Sequence, residues 1–141
     1  MNRTPTGTRS VVVERELPFP PEKVWRALTQ PHLIEEWLMK NDFKPAVDHR
    51  FNLRKDPQPD RSIVVDCQVL AVEPNQTLSY TWSAYGLESV VTWTLTPTAT
   101  GTHLRMEQSG FRPDQEQAFR GARGGWRQFI AKLEQTLARL D

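Results

Sequence analysis

The chain has 141 residues, of which 38% are hydrophobic and 25% charged, and a formal net charge of +1. That is one domain's worth of chain with enough apolar residues for a real core; the near-neutral charge excludes a dedicated nucleic-acid surface, which carries a basic excess. A single cysteine, Cys67, excludes an internal disulfide and a cysteine-rich metal site.

Taken in order, Met1–Ser10 is polar and has no apolar segment, which predicts no signal peptide. No run approaches the ~20 apolar residues of a membrane span, so the cytoplasm is the expected location. Residues 11–17 (VVVEREL) read as a β-branched strand stopped by Pro18. Pro21 suits the first turn of a helix over EKVWRALT, with Val24, Trp25 and Leu28 on one face. After Pro31, HLIEEWL reads as a second short helix whose apolar side carries Leu33, Ile34, Trp37 and Leu38.

From about residue 47 the hydrophobic period changes to two. Phe51 and Leu53 mark one strand, and Pro57, Gln58, Pro59 and Asp60 read as a turn-rich connection. Residues 63–72 form the next strand, with Val65, Cys67 and Val69 inward. Leu78, Tyr80 and Trp82, then Val91, Trp93 and Leu95, then Leu104, Met106 and Gln108 alternate with polar residues in three further strands. Tyr85–Gly86 and Ala99–Gly101 supply turns between them. Gly110 and Phe111 end the sheet, and Pro113 and Asp114 mark the entry to a last helix. Trp126, Phe129, Ile130, Leu133, Leu137 and Leu140 make its amphipathic stripe. Gly121, Gly124 and Gly125 each lower helix propensity by about 1 kcal/mol relative to alanine, which predicts a break there or a close approach of another backbone.

The expected architecture is therefore α+β, in the order β-αα-βββββ-α: a curved antiparallel sheet of about six strands covered by a long C-terminal helix. The whole of residues 1–141 is read as one domain, with its core over about 11–138. A curved sheet around one helix tends to leave a gap where a ligand binds.

The segments FPPEKVWRALTQPHLIEEWL, NDFKPAVDHRF, VLAVEPNQTLSYTW and VVTWTLTPTATGTHLRMEQSGF, followed by the GGW of the last helix, resemble the SRPBCC (START-like, helix-grip) superfamily. Within it they resemble the branch of heat-shock-protein-90 ATPase activator homologues. The resemblance runs over about residues 11–138. It implies a hydrophobic cavity between the sheet and the last helix, but no single activity, since the fold hosts carriers, receptors, cyclases and chaperone regulators. Asp48 stands where members often carry glycine, and aspartate tolerates the left-handed turn that glycine favours. The connection around Pro57–Ser62 lacks the glycine and tryptophan often found there.

Catalytic signatures are missing. His32, His49 and His103 are widely spaced, with no HExxH pattern and no GxSxG elbow, so neither a metal, a cofactor nor a catalytic group is assigned. Cys67 reads as a buried structural thiol. Glu107, Asp66, Arg105 and Arg54 have the opposite strand parity and are expected in solvent. Five tryptophans either fill the core or wall a cavity, with Trp25 and Trp37 expected to anchor the short helices. Arg112, Arg120, Arg123 and Arg127 read as a solvated face, the first three close enough to rim a pocket mouth.

The expected partner is a small hydrophobic or aromatic ligand. Its walls are drawn from Phe51, Leu53, Cys67, Trp82, Val91, Trp93, Met106, Trp126, Phe129, Ile130 and Leu133, with Tyr80 and Gln108 as polar contacts. The alternatives are a cofactor-free cyclase, dehydratase or hydrolase on a polyketide-like substrate, and a chaperone-associated interaction module. Monomer and homodimer both remain open.

Overall fold

A computed structural model describes residues 8–58 and 61–140. Strand β1 (Arg9–Leu17) leads into helices α1 (Pro21–Thr29) and α2 (Pro31–Trp37). Strands β2 (Lys40–Asn41), β3 (Arg50–Gln58), β4 (Arg61–Glu73), β5 (Thr77–Ala84), β6 (Leu87–Pro97) and β7 (Thr102–Phe111) precede helix α3 (Glu116–Arg139). All seven strands join one antiparallel sheet in the order β1-β7-β6-β5-β4-β3-β2, and α3 covers its apolar face, a helix-grip arrangement.

Period-2 alternation fixes the faces. On β6, Leu87, Ser89, Val91, Trp93 and Leu95 are buried while the residues between them are not. The same rule places Leu104, Met106 and Gln108 inward on β7. On α3, Phe119, Trp126, Ile130, Leu133 and Leu137 return at helical spacing and are all buried. A bulge between Val69 and Ala71 of β4 bends the sheet and turns Leu70 out, 43% exposed. Beside it, the Gln68 amide donates to Thr81 Oγ1 at 2.8 Å, so the bond lost from the ladder is replaced by a side chain. Asp48 sits at φ 73°, in the left-handed turn the sequence predicts, and its amide donates to the Val69 carbonyl at 2.9 Å.

Three expectations need correction. The sheet gains a seventh strand, β2, whose two residues pair Lys40 with Arg54 and Asn41 with Leu53; two residues carry no periodicity to read. The connection expected at 57–60 begins later, because β3 continues through Pro57 to Gln58 past a register shift between Lys55 and Gln58. Such irregularities are where a strand tolerates proline; residues 59 and 60 lie outside the described chain. The glycines neither break α3 nor meet another backbone. The helix is continuous for 24 residues, and a Cβ added at Gly121, Gly124 or Gly125 would find nothing within 4 Å. Packing of Phe119 before them and of Trp126 and Ile130 after them carries the helix across the weak segment.

Gly101 has the opposite environment. A Cβ there would lie 2.0 Å from the Leu17 carbonyl oxygen, because the β6–β7 turn is pressed against the end of β1. Thr102 Oγ1 donates to the Phe19 carbonyl at 2.7 Å and fastens the same corner.

Candidate ligand cavity

The interior aromatics form a connected chain. Trp37 meets Trp93 edge-on at 5.5 Å between ring centroids, and Trp93 meets Trp126 at 5.6 Å. Trp126 in turn contacts Trp82 at 5.2 Å and Phe129 at 5.6 Å. Buried indole N–H groups need acceptors. Trp37 Nε1 donates to the Ala27 carbonyl at 2.9 Å, Trp93 Nε1 to Tyr80 Oη at 3.0 Å, and Trp126 Nε1 to Gln108 Oε1 at 2.7 Å. Gln108 then donates through Nε2 to Ser89 Oγ at 2.9 Å, and Ser89 donates to the Trp82 carbonyl at 2.8 Å. Tyr80 and Gln108, the inward polar pair, are thus each committed to a tryptophan. Burial drives the Tyr80 phenol pKa upward, against the bond from Trp93.

Beyond the Trp126 end of this chain lies a cavity of about 470 Å³. Its sheet side is made by Ile63 and Val65 of β4, Trp82 and Ala84 of β5, Leu87 of β6 and Gln108 of β7, with Met39 beside them, and Trp126 and Phe129 of α3 line it as well. Its helix side is made by Ala118, Gly121, Ala122 and Gly125. Those four positions share one face of α3, and their short or missing side chains leave the space open. Over the turns that follow, Ile130, Leu133 and Leu137 fill the corresponding face of the helix and are fully buried. The glycine run that weakens the helix therefore creates the cavity.

The mouth lies between the β5–β6 turn and the start of α3, where the lining residues Tyr85, Asp114, Gln117, Ala118 and Gly121 are exposed. Tyr85 and Gly86 have φ values of 51° and 82°, the two left-handed positions of a type I′ hairpin turn. This conformation costs a bulky L-residue about 1–2 kcal/mol. The turn is held from two sides: Tyr85 Oη donates to the Ser62 carbonyl at 3.3 Å, and Gln115 Nε2 donates to the Gly86 carbonyl at 3.2 Å. Gln115 Oε1 meanwhile accepts from the Arg112 amide at 2.9 Å, and Arg112 Nε pairs with Asp114 at 3.4 Å.

Of the residues expected at the site, Trp82, Gln108, Trp126 and Phe129 line this cavity. Leu53, Val91, Trp93, Met106, Ile130 and Leu133 are buried in the packed core beside it, as is Tyr80. Phe51 packs edge-on against Phe43 and Tyr80, at 5.1 and 5.4 Å, in a separate aromatic cluster. Cys67 is buried near it, and desolvation, reinforced by the charges of Asp66 and Asp42, pushes its thiol up to about 12. Strand parity identifies the inward face but not where along α3 its side chains stop reaching the sheet. The α3 residues Ala118, Gly121, Ala122 and Gly125 are missed in this way, and further lining residues such as Met39, Ile63, Leu87 and Tyr85 stand outside the positions expected at the site.

A second, larger depression of about 790 Å³ lies over the polar side chains of the opposite sheet face, including Arg50, Asn52, Asp66, Ser83 and Glu88. Much of its polarity is spent internally, with Asn52 Nδ2 donating to Asp66 at 2.6 Å and Ser83 to Glu88 at 3.0 Å. Arg120 and Arg123 lie on the α3 face away from the cavity, tied to Glu116 and stacked near Phe119 respectively. Among the described residues, no helix is long and apolar enough to cross a membrane, and no three His, Cys, Asp or Glu side chains are grouped to hold a metal ion.

A family model described as Activator of Hsp90 ATPase homolog 1-like protein matches residues 18–138. The crystal structure of protein MLL2253 from Mesorhizobium loti is 68% identical, with 94% of this chain covering 99% of that one at a TM-score of 0.88. BH1534 of Bacillus halodurans is 25% identical, with coverage of 94% and 99% and a TM-score of 0.79. DynU16, a protein of the dynemicin biosynthetic locus, is also 25% identical with a TM-score of 0.79; 92% of this chain covers 47% of that longer one. No curated protein sequence matches.

Proposed function

Because this chain belongs to the family of Activator of Hsp90 ATPase homolog 1-like proteins, whose name fixes no chemistry for it, we propose its function from the cavity: binding of a small apolar or aromatic molecule beneath the N-terminal half of α3. The observation that carries the reading is the helix face of Ala118, Gly121, Ala122 and Gly125, set against Ile63, Val65, Trp82 and Leu87 of the sheet across about 470 Å³, with Trp126 and Phe129 of the same helix lining it beyond Gly125. Close packing leaves few voids in most interiors, and a space of this size is in the range of small-molecule sites. Aromatic walls with few polar groups favour an apolar body.

A cofactor-free cyclase or hydrolase draws on the likeness to DynU16 only through that protein's place in a biosynthetic locus. The lining offers it little proton-transfer chemistry, since Asp114 is exposed and paired with Arg112 and the other ionisable lining residue is Tyr85 at the rim. A chaperone-associated role draws on the family name; the large exposed apolar residues Val12, Val47, Val64, Leu70 and Tyr85 are dispersed over the sequence.

The test is a titration of tryptophan fluorescence with a broad panel of apolar and aromatic compounds, repeated on Gly125→Leu and Gly124→Ala. Gly125 lines the cavity and Gly124 does not. Expected is saturable quenching or enhancement that Gly125→Leu weakens at least about tenfold, as filling a pocket does, and that Gly124→Ala preserves. No change of emission or melting temperature across the panel would sink the reading.

A further inference from the structure

The two ends of the cavity differ in what they can offer a ligand. At the inner end Gln108 is 1% exposed, and both ends of its amide are engaged, accepting from Trp126 and donating to Ser89. A polar group placed there would compete with bonds already made, so the inner end selects an apolar group. At the mouth, Tyr85 is 79% exposed and its hydroxyl proton is directed to the Ser62 carbonyl. A phenol whose O–H is already engaged as a donor can still accept through its oxygen lone pairs.

Tyr85 is also an unexpected residue for its position. The turn requires φ above zero at both central residues, a demand met with least strain by Asn-Gly; the chain instead places an aromatic ring there at φ 51°. Strained conformations persist only where the surrounding structure holds them, and they cluster at ligand-contacting sites. Nothing in the core requires the ring, which lies at the rim and lines the cavity.

We propose that Tyr85 is the specificity-determining contact of the cavity, and that it selects ligands with an apolar body and a hydroxyl or N–H donor at the outward end. The proposal rests on the cavity reading above. On binding, the ligand's donor hydrogen-bonds to Tyr85 Oη, which keeps its own bond to the Ser62 carbonyl, while the ring covers the ligand's outer edge.

The test compares 2-naphthol with 2-methoxynaphthalene, similar in shape but with and without a donor, by calorimetric titration of the wild-type chain, Tyr85→Phe and Tyr85→Asn. Expected is about tenfold tighter binding of 2-naphthol by the wild type, the size of one hydrogen bond, and a ratio near one in Tyr85→Phe. Tyr85→Asn, which suits the turn, is expected to melt no lower than the wild type and to bind both compounds more weakly. Equal binding of the two compounds by the wild type, or an undiminished ratio in Tyr85→Phe, overturns the proposal and leaves the cavity reading standing. A Tyr85→Asn chain that melts several degrees lower with undiminished binding shows the ring serving the turn, and overturns it as well. Failure of both compounds to bind the wild type overturns the proposal, and the cavity reading falls with it when the broad panel is silent as well.

Discussion

Trp126 and Gln108 face each other across the interior at 2.7 Å, indole N–H to amide oxygen, and this bond fixes the inner wall of the cavity to the middle of β7. Both residues are essentially inaccessible to water. Replacing Gln108 with leucine strips the acceptor from the Trp126 N–H and one donor from Ser89 Oγ, which keeps its own bond to the Trp82 carbonyl. Each buried polar group left unpaired costs about 1–3 kcal/mol, so Gln108→Leu is expected to lower the unfolding free energy by about 2 kcal/mol or more. Urea denaturation followed by circular dichroism checks it.

Two glycine substitutions should have opposite signs. Gly101→Ala forces a methyl group into the Leu17 backbone, 2.0 Å from its carbonyl oxygen. A rigid contact of that kind is expected to destabilise by about 1–3 kcal/mol or more. Gly124→Ala meets nothing within 4 Å and lies inside a helix, so helix propensity should stabilise it by about 1 kcal/mol. Thermal melts of the two variants beside the wild type decide both signs.

Cys67 should behave as an inert thiol. Its pKa is pushed up to about 12, first by burial and then by the nearby carboxylates, so almost no thiolate exists at neutral pH. Titration of the native chain with a disulfide reagent at pH 8 should show negligible reaction over minutes, and full reaction once urea unfolds it. Rapid reaction of the folded chain would contradict the buried placement.

His103, on β7, bridges two glutamates of β1, with Nδ1 toward Glu16 Oε2 and Nε2 toward Glu14 Oε1 at 2.7 Å. The bonds to Glu16 and then Glu14 raise its pKa above the ordinary 6.5. A proton held more tightly in the folded state stabilises it at low pH. The contribution is fully present below 6.5 and is lost as pH rises through the raised folded value. The difference in melting temperature between the wild type and His103→Gln should therefore be larger at pH 6 than at pH 8.5. A margin that grows with pH would refute the sign.

Strand parity made most of the fold legible. The alternation of Leu78 and Tyr80, or of Val91 and Trp93, selects the inward face without any tertiary information, and the stripe from Trp126 to Leu137 selects the face of α3 laid upon it. Lys40 and Asn41 escaped because a two-residue strand has no period. Tyr80 reads as a free polar contact until the position of Trp93 on the adjacent strand is known, since cross-strand partners depend on register. The cavity was encoded in Gly121 and Gly125 all along, but residues without side chains signal an absence, and only the opposing wall shows that the absence is a space. Tyr85 was read as part of a turn, and its contribution to the rim depends on where α3 begins.

The ladder between β1 and β7 joins residues 9–17 to residues 102–111, while β2 to β7 follow one another as a meander. A growing chain can therefore assemble the meander from successive hairpins, but β1 stays unpaired until residues 102–111 have been made. Loop closure over such separations is slow. The exposed valine-rich segment Val11–Val13 must meanwhile avoid neighbouring chains. The alternating charges of Glu14, Arg15 and Glu16, which end as surface ion pairs in the folded chain, are of the kind that discourages an unpaired strand edge from pairing with another chain.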